Sequence, residues 1–128
     1  MEWKLEVVVI PVTDVDRAKA FYVDKMGFVC DVDVYPTPQM RVVQLTPPGS
    51  TCSVTLGPTV VDEMPPVSAS LQLVVADIDA ARAELVGRGV EVSEVQVLGE
   101  GDGGKFCFLT DPDGNNWAVQ EFKRSFAG

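Results

Sequence analysis

The chain repeats itself, and that repeat constrains its fold more than any other feature. Val7-Val8-Val9-Ile10-Pro11-Val12-Thr13-Asp14-Val15-Asp16-Arg17-Ala18 and Ser70-Leu71-Gln72-Leu73-Val74-Val75-Ala76-Asp77-Ile78-Asp79-Ala80-Ala81 follow one pattern. Asp14 matches Asp77, Asp16 matches Asp79 and Ala18 matches Ala81. In each copy a β-rich run meets an aspartate and a helical pattern begins. Aspartate suits that junction because its carboxylate accepts from the unpaired amides of a first helical turn.

The apolar stripe of the first helix is Val15, Ala18, Phe21, Tyr22 and Met26; that of the second is Ile78, Ala81 and Leu85. Gly27 and Gly89 end them, because glycine takes the left-handed conformation of a helix C-terminus. Strands are expected over Phe28–Tyr35, Met40–Thr46 and Ser53–Leu56. The second half repeats them over Val90–Leu98, Lys105–Thr110 and Trp117–Phe122. Turn signals separate them: Pro36-Thr37-Pro38, Pro47-Pro48-Gly49, Gly99 to Gly104, and Asp111-Pro112-Asp113-Gly114. The expectation is an α+β protein of two tandem βαβββ modules, 1–57 and 68–128, joined by a proline-rich linker over 58–67. A single unit cannot cover both faces of its sheet, so one face takes the helix and the other curls around a ligand or meets another unit.

Composition removes several function classes. At 128 residues and 46% hydrophobic, the chain can bury a core without staples. No apolar run approaches the roughly 20 residues that cross a bilayer. The N-terminal stretch lacks signal-peptide features, so a cytoplasmic, membrane-independent protein is expected. The net charge of −9 and scattered Lys and Arg exclude a nucleic-acid surface and would favour a cationic ligand. Cys30, Cys52 and Cys107 are odd in number and far apart, which reads as free thiols rather than a disulfide framework or zinc site. There is no histidine to activate them.

The motif Val12-Thr13-Asp14-Val15-Asp16-Arg17-Ala18-Lys19-Ala20-Phe21-Tyr22 with Met26-Gly27-Phe28, and the later Thr110-Asp111-Pro112-Asp113-Gly114-Asn115, resemble the vicinal oxygen chelate superfamily. That family includes glyoxalase I, bleomycin-resistance proteins and extradiol dioxygenases. The resemblance spans nearly the whole chain. It implies curved mixed sheets around a cleft and a homodimer.

It also implies where metal ligands would sit: on the first strand of each module seven residues before the capping Asp, and on the last strand four after the turn glycine. Those positions are Val7, Ser53, Ser70 and Ala118. Valine and alanine have no donor atom, and serine is a poor ligand for a divalent first-row metal. A one-residue slip offers Glu6, but strand alternation points it to the other face. A two-residue shift offers only the amides of Gln72 and Gln120. No metal or other cofactor is expected.

Alternation then predicts a ligand-binding cleft lined by Val7, Val9, Ser53, Thr55, Ser70, Gln72, Ala118 and Gln120. Val8, Ile10, Leu71, Leu73, Trp117 and Val119 should pack beneath the helices. Apolar walls with a few hydroxyls and amides suit a small organic molecule, cationic or aromatic. Trp3 and Trp117 are stacking candidates, though large aromatics more often belong to cores or interfaces. Arg41 is a candidate anion ligand, though a lone strand arginine is more often a solvated rim residue. Glu121 is a candidate general base, with a surface role the plainer reading. The glycine-rich 99–104 segment lacks the Lys-Ser/Thr of a phosphate loop and reads as a connection or a loop over the cleft.

Three function classes remain. The leading one is a metal-free binding protein. The second is an enzyme of the same superfamily, a lyase, isomerase or dioxygenase, metal-dependent or metal-free. A metal-free version would draw on Glu121, Tyr22, Tyr35 or a cysteine, none of which the sequence pairs. The third is an interaction module with a vestigial cleft.

Overall fold

The computed structural model describes residues 1–2, 5–57 and 69–123. Trp3 and the whole of the 58–67 linker lie outside the described residues. The chain forms two compact units, Met1–Ala69 and Ser70–Gly128.

In the first unit, β1 (Val7–Pro11) leads to α1 (Val15–Ala20), a π turn (Phe21–Lys25), β2 (Val29–Thr37), β3 (Met40–Thr46) and β4 (Ser53–Gly57). In the second, β5 (Ser70–Val75) leads to α2 (Ile78–Gly87), β6 (Gln96–Val97), β7 (Lys105–Thr110) and β8 (Asn116–Glu121). The sheet orders are β1-β4-β3-β2 and β5-β8-β7-β6. Each sheet is mixed: its first and last strands in sequence pair in parallel, and its other pairings are antiparallel. Neither sheet closes, and both modules have the expected βαβββ order.

Local chemistry repeats as closely as topology. Asp14 (φ −133°, ψ 104°) accepts from the Arg17 amide, and Asp77 (φ −138°, ψ 101°) accepts from the Ala80 amide. Gly27 and Gly89 have φ of 76° and 86°, the left-handed conformation that ends each helical segment.

The core of each unit lies between helix and sheet. Ile10, Ala18, Tyr22, Val43, Leu45 and Leu56 are sealed in the first, and Ile78, Cys107, Trp117 and Val119 in the second. Val8, Leu71 and Leu73, on the same side, are half-buried.

Three elements differ from expectation. The first helix changes to a π turn at Phe21, where the Met26 amide donates to the Phe21 carbonyl. That extra residue lets Tyr22 stack on Phe28 at 5.5 Å while Phe21 meets it edge-on. β2 runs through Pro36 to Thr37. It is an edge strand, where a missing amide leaves no ladder bond unmade. The strand expected over Val90–Leu98 reduces to Gln96 and Val97. Arg82 of α2 takes the Ser93 and Val92 carbonyls, and Ser93 meets β7 irregularly: its amide donates to the Phe108 carbonyl while its hydroxyl, not its carbonyl, accepts from the Phe108 amide.

Candidate functional site

Each sheet has one face under its helix and one face turned away from it. In the first module, parallel pairing sets Val7 opposite Ser53 and Val9 opposite Thr55 on the face away from α1. Ser53 and Thr55 are buried, whereas Val7 and Val9 are 36% and 58% exposed. In the second module the corresponding face carries three rows. They run Ser70–Asn116–Thr110, then Gln72–Ala118–Phe108, then Val74–Gln120–Phe106.

A cleft of about 550 Å3 opens on this second face, with Ser70, Glu91, Phe108, Thr110, Asn116 and Ala118 in its lining. Ala118 is the small residue of the central row, and its missing bulk leaves space beside the Phe108 ring. Phe108 is 37% exposed and stacks in parallel with Phe106, their centroids 6.1 Å apart. Trp117 is buried on the helix side and contributes to the lining.

Gln72 and Gln120 stand next to the cleft as an ordered pair. Gln120 donates from Nε2 to the Gly103 carbonyl at 2.7 Å. That bond turns its Oε1 toward Gln72, whose Nε2 donates to it. A backbone carbonyl thus fixes the orientation of both amides. The glycine-rich connection is built to hold this contact: Gly101 and Gly103 have positive φ, and Asp102 accepts from the Lys123 amide.

The residues expected at the cleft come from both modules. Ser70 and Ala118 line the second-module cleft and Gln72 and Gln120 flank it. Val7, Val9, Ser53 and Thr55 occupy the first-module face. The alternation Phe106-Cys107-Phe108-Leu109-Thr110 would have pointed to Phe106, Phe108 and Thr110, had that strand been read with the same parity as its neighbour.

Several other candidates have structural roles. Arg41 bonds Asp33 through Nε and Nη2, both at 3.0 Å, and Asp16 at 2.8 Å, and lies over the Tyr35 ring. It is neither a free anion ligand nor a solvated rim residue. Glu121 is buried, not superficial: its Oε2 accepts from the Ile78 amide at 3.0 Å at the start of α2. Tyr22 is sealed in the core. Cys107 is buried and its burial pushes the thiol pKa up, the wrong direction for a nucleophile.

The register also tests the metal positions. Ser53 stands opposite Val7, but the residue opposite Ser70 is Asn116, while Ala118 stands opposite Gln72. By register the donor set is either Val7, Ser53, Ser70 and Asn116, or Val9, Thr55, Gln72 and Ala118. Neither contains an imidazole, thiolate or carboxylate, so neither fits a divalent first-row metal. Among the described residues, no group of three or more His, Cys, Asp or Glu is placed to hold a metal ion.

The chain is similar to TnmS3, an antibiotic binding protein from Streptomyces sp. CB03234, at 32% identity over 94% of this chain and 97% of that one, with a TM-score of 0.78. A glyoxalase/bleomycin resistance protein from the same organism is 33% identical over 92% and 100% of the two chains, with a TM-score of 0.74. A member of the glyoxalase/bleomycin resistance protein/dioxygenase superfamily from Sphaerobacter thermophilus DSM 20745 is 30% identical over 94% and 98%, with a TM-score of 0.77. No curated protein sequence matches the chain. The glyoxalase/bleomycin resistance protein/dioxygenase profile matches residues 4–119. With its fold, its repeated modules and these likenesses in agreement, the chain belongs to the glyoxalase/bleomycin resistance protein/dioxygenase superfamily.

Proposed function

We propose that the protein is a metal-free binding protein that holds a small organic molecule in the second-module cleft, and that it works as a cytoplasmic homodimer. The observation that carries this reading is the cleft itself: an alanine floor, an aromatic wall at Phe108, and hydroxyl and amide groups from Ser70, Thr110 and Asn116. Apolar burial and ring stacking supply affinity there, and the polar groups supply orientation. The donor set disfavours a metal-dependent lyase, isomerase or dioxygenase, and the described residues give the cleft no paired acid and base. Likeness to an antibiotic binding protein supports sequestration as the activity.

A thermal-shift screen of aromatic and cationic small molecules tests the reading. A ligand at about a hundred times its dissociation constant should stabilise the protein by roughly 2.7 kcal/mol. Ser70→Trp and Ala118→Trp fill the cleft and should remove that shift while keeping the melting temperature within a few degrees. A shift that survives both substitutions would place the ligand elsewhere.

A further inference from the structure

The first-module face away from α1 carries a polar feature of its own. Val7, Ser53, Thr46 and Val29 form one row across the sheet. The two hydroxyls bond at 2.6 Å in its middle, and the two valines, 36% and 55% exposed, flank them. Asp31, two residues along β2 from Val29, accepts from the Thr46 hydroxyl. Among the described residues Asp31 has no cationic partner.

The carboxylate decides where the protons lie. Thr46 has one hydroxyl hydrogen and gives it to Asp31. Thr46 Oγ1 can then only accept from Ser53, which uses the Ser53 hydrogen in turn. The chain Ser53→Thr46→Asp31 therefore presents only acceptors: the remaining lone pairs and the second carboxylate oxygen. An acceptor-only group with a full negative charge, set among exposed valines, complements a group that is both cationic and rich in N–H. The chain's net charge of −9 adds to that preference.

We infer that Asp31 and Thr46, with the buried Ser53 hydroxyl ordering them from behind, form a subsite for a primary ammonium group whose apolar substituent lies on Val29. This subsite does not depend on the second-module cleft and stands or falls separately.

The probes are 4-phenylbutylamine, its N,N,N-trimethyl derivative, and 4-phenylbutanol, titrated into isotopically labelled full-length protein and followed by amide chemical shifts. The primary amine should bind about tenfold more tightly than the alcohol, which lacks the charge. It should also bind several-fold more tightly than the trimethyl compound, which has the charge but no N–H. Its shifts should centre on Val29, Asp31, Thr46 and Ser53. Asp31→Asn should erase the preference over the alcohol. Thr46→Val should erase the preference over the trimethyl compound, because it breaks the hydrogen-bond order. Asp31 is exposed, so its substitution leaves the fold standing even where Thr46→Val does not. Equal affinity for amine and alcohol, shifts centred outside these residues, or an Asp31→Asn protein that keeps its preference would each overturn the assignment.

Discussion

Asp31 and Asp33 stand two residues apart in β2, yet they bond on opposite faces of its sheet. Asp31 accepts from Thr46 on the face away from α1. Asp33 pairs with Arg41 and with Lys19 of α1, at 3.0 and 2.7 Å, on the helix side. Residues i and i+2 of a regular strand share a face. The register shift between Cys30 and Val32 breaks that rule: Asp31 and Val32 together face Gln44, and Asp33 moves to the helix side opposite Val43. One extra residue separates a carboxylate that is neutralised from one that is not.

The ion pairs of Asp33 predict an acid-sensitive module. The Arg41 guanidinium, and then the Lys19 ammonium, hold its carboxyl at about 2, below the usual 3.8. A lowered native value contributes stability above the unfolded value and loses it as pH falls through the native one. Unfolding free energy measured by denaturant titration should thus decline between about pH 4 and pH 2. Asp33→Asn should cost about 1 kcal/mol at pH 7 and flatten that decline. An unchanged slope in the variant would remove Asp33 as its source.

Gly104 should be the least replaceable glycine among those described. A Cβ there would lie 2.2 Å from the Gly99 carbonyl oxygen, a backbone atom with no side-chain freedom to move away. Gly104→Ala should destabilise by at least about 2 kcal/mol. Gly101→Ala meets no atom within 4 Å and bears only the cost of its positive φ, about 1 kcal/mol. Equal melting temperatures for the two variants would contradict this ordering.

Glu121 should act through α2 and not through chemistry. Removing its carboxylate leaves the buried Ile78 amide without that acceptor, so Glu121→Ala should cost about 1–3 kcal/mol. Glu121→Gln keeps an acceptor oxygen and should recover most of the loss. Ligand shifts in the thermal assay should be intact in both variants; a general base would show the opposite, full stability with activity gone.

Val119→Ala provides the matched control for the cleft substitutions. Val119 is 1% exposed and lies one residue from Ala118 on the opposite face of β8. Emptying that volume should cost about 1–3 kcal/mol while the ligand shift survives. Early melting of Ala118→Trp with normal melting of Val119→Ala would invert the assignment of faces.

Metal content and mass test the remaining proposals. Protein exposed to nickel, zinc, iron and manganese and then desalted should carry no stoichiometric metal. Sedimentation at micromolar concentration should give roughly twice the chain mass, because Val9 and Val74 leave apolar area on faces that a two-fold partner would cover.

The helix starts were legible because a cap is a local device: Asp14 and Asp77 need only the amides three residues on. The βαβββ order of each module followed from the duplication, whereas the strand orders within the sheets did not. Pairing in the second module was harder to read, because counting from Gly49 and Gly114 made Ser53 and Ala118 equivalent, whereas register pairs Ser53 with Val7 and Asn116 with Ser70. The bulge at Asp31 carries no glycine to announce it. Before β6, Arg82 takes the Ser93 carbonyl eleven residues on and the Ser93 hydroxyl takes the Phe108 amide, and strand propensity contains no such competitors. Arg41 looked solitary because its partners, Asp16 and Asp33, lie 25 and 8 residues away in the chain.

The parallel pairing of β1 with β4, and of β5 with β8, bears on how the chain is made. Val7 meets Ser53 and Ser70 meets Asn116, each pair 46 positions apart. During synthesis β1 leaves the ribosome with no strand to join, and its valines wait until β4 has followed. Contacts of that span close slowly, because the loop entropy is lost before any ladder bond forms. The run Val7-Val8-Val9-Ile10 is therefore the segment a chaperone would meet first, and slower translation after Gly57 would give module one time to close before β5, a rival strand of similar pattern, emerges.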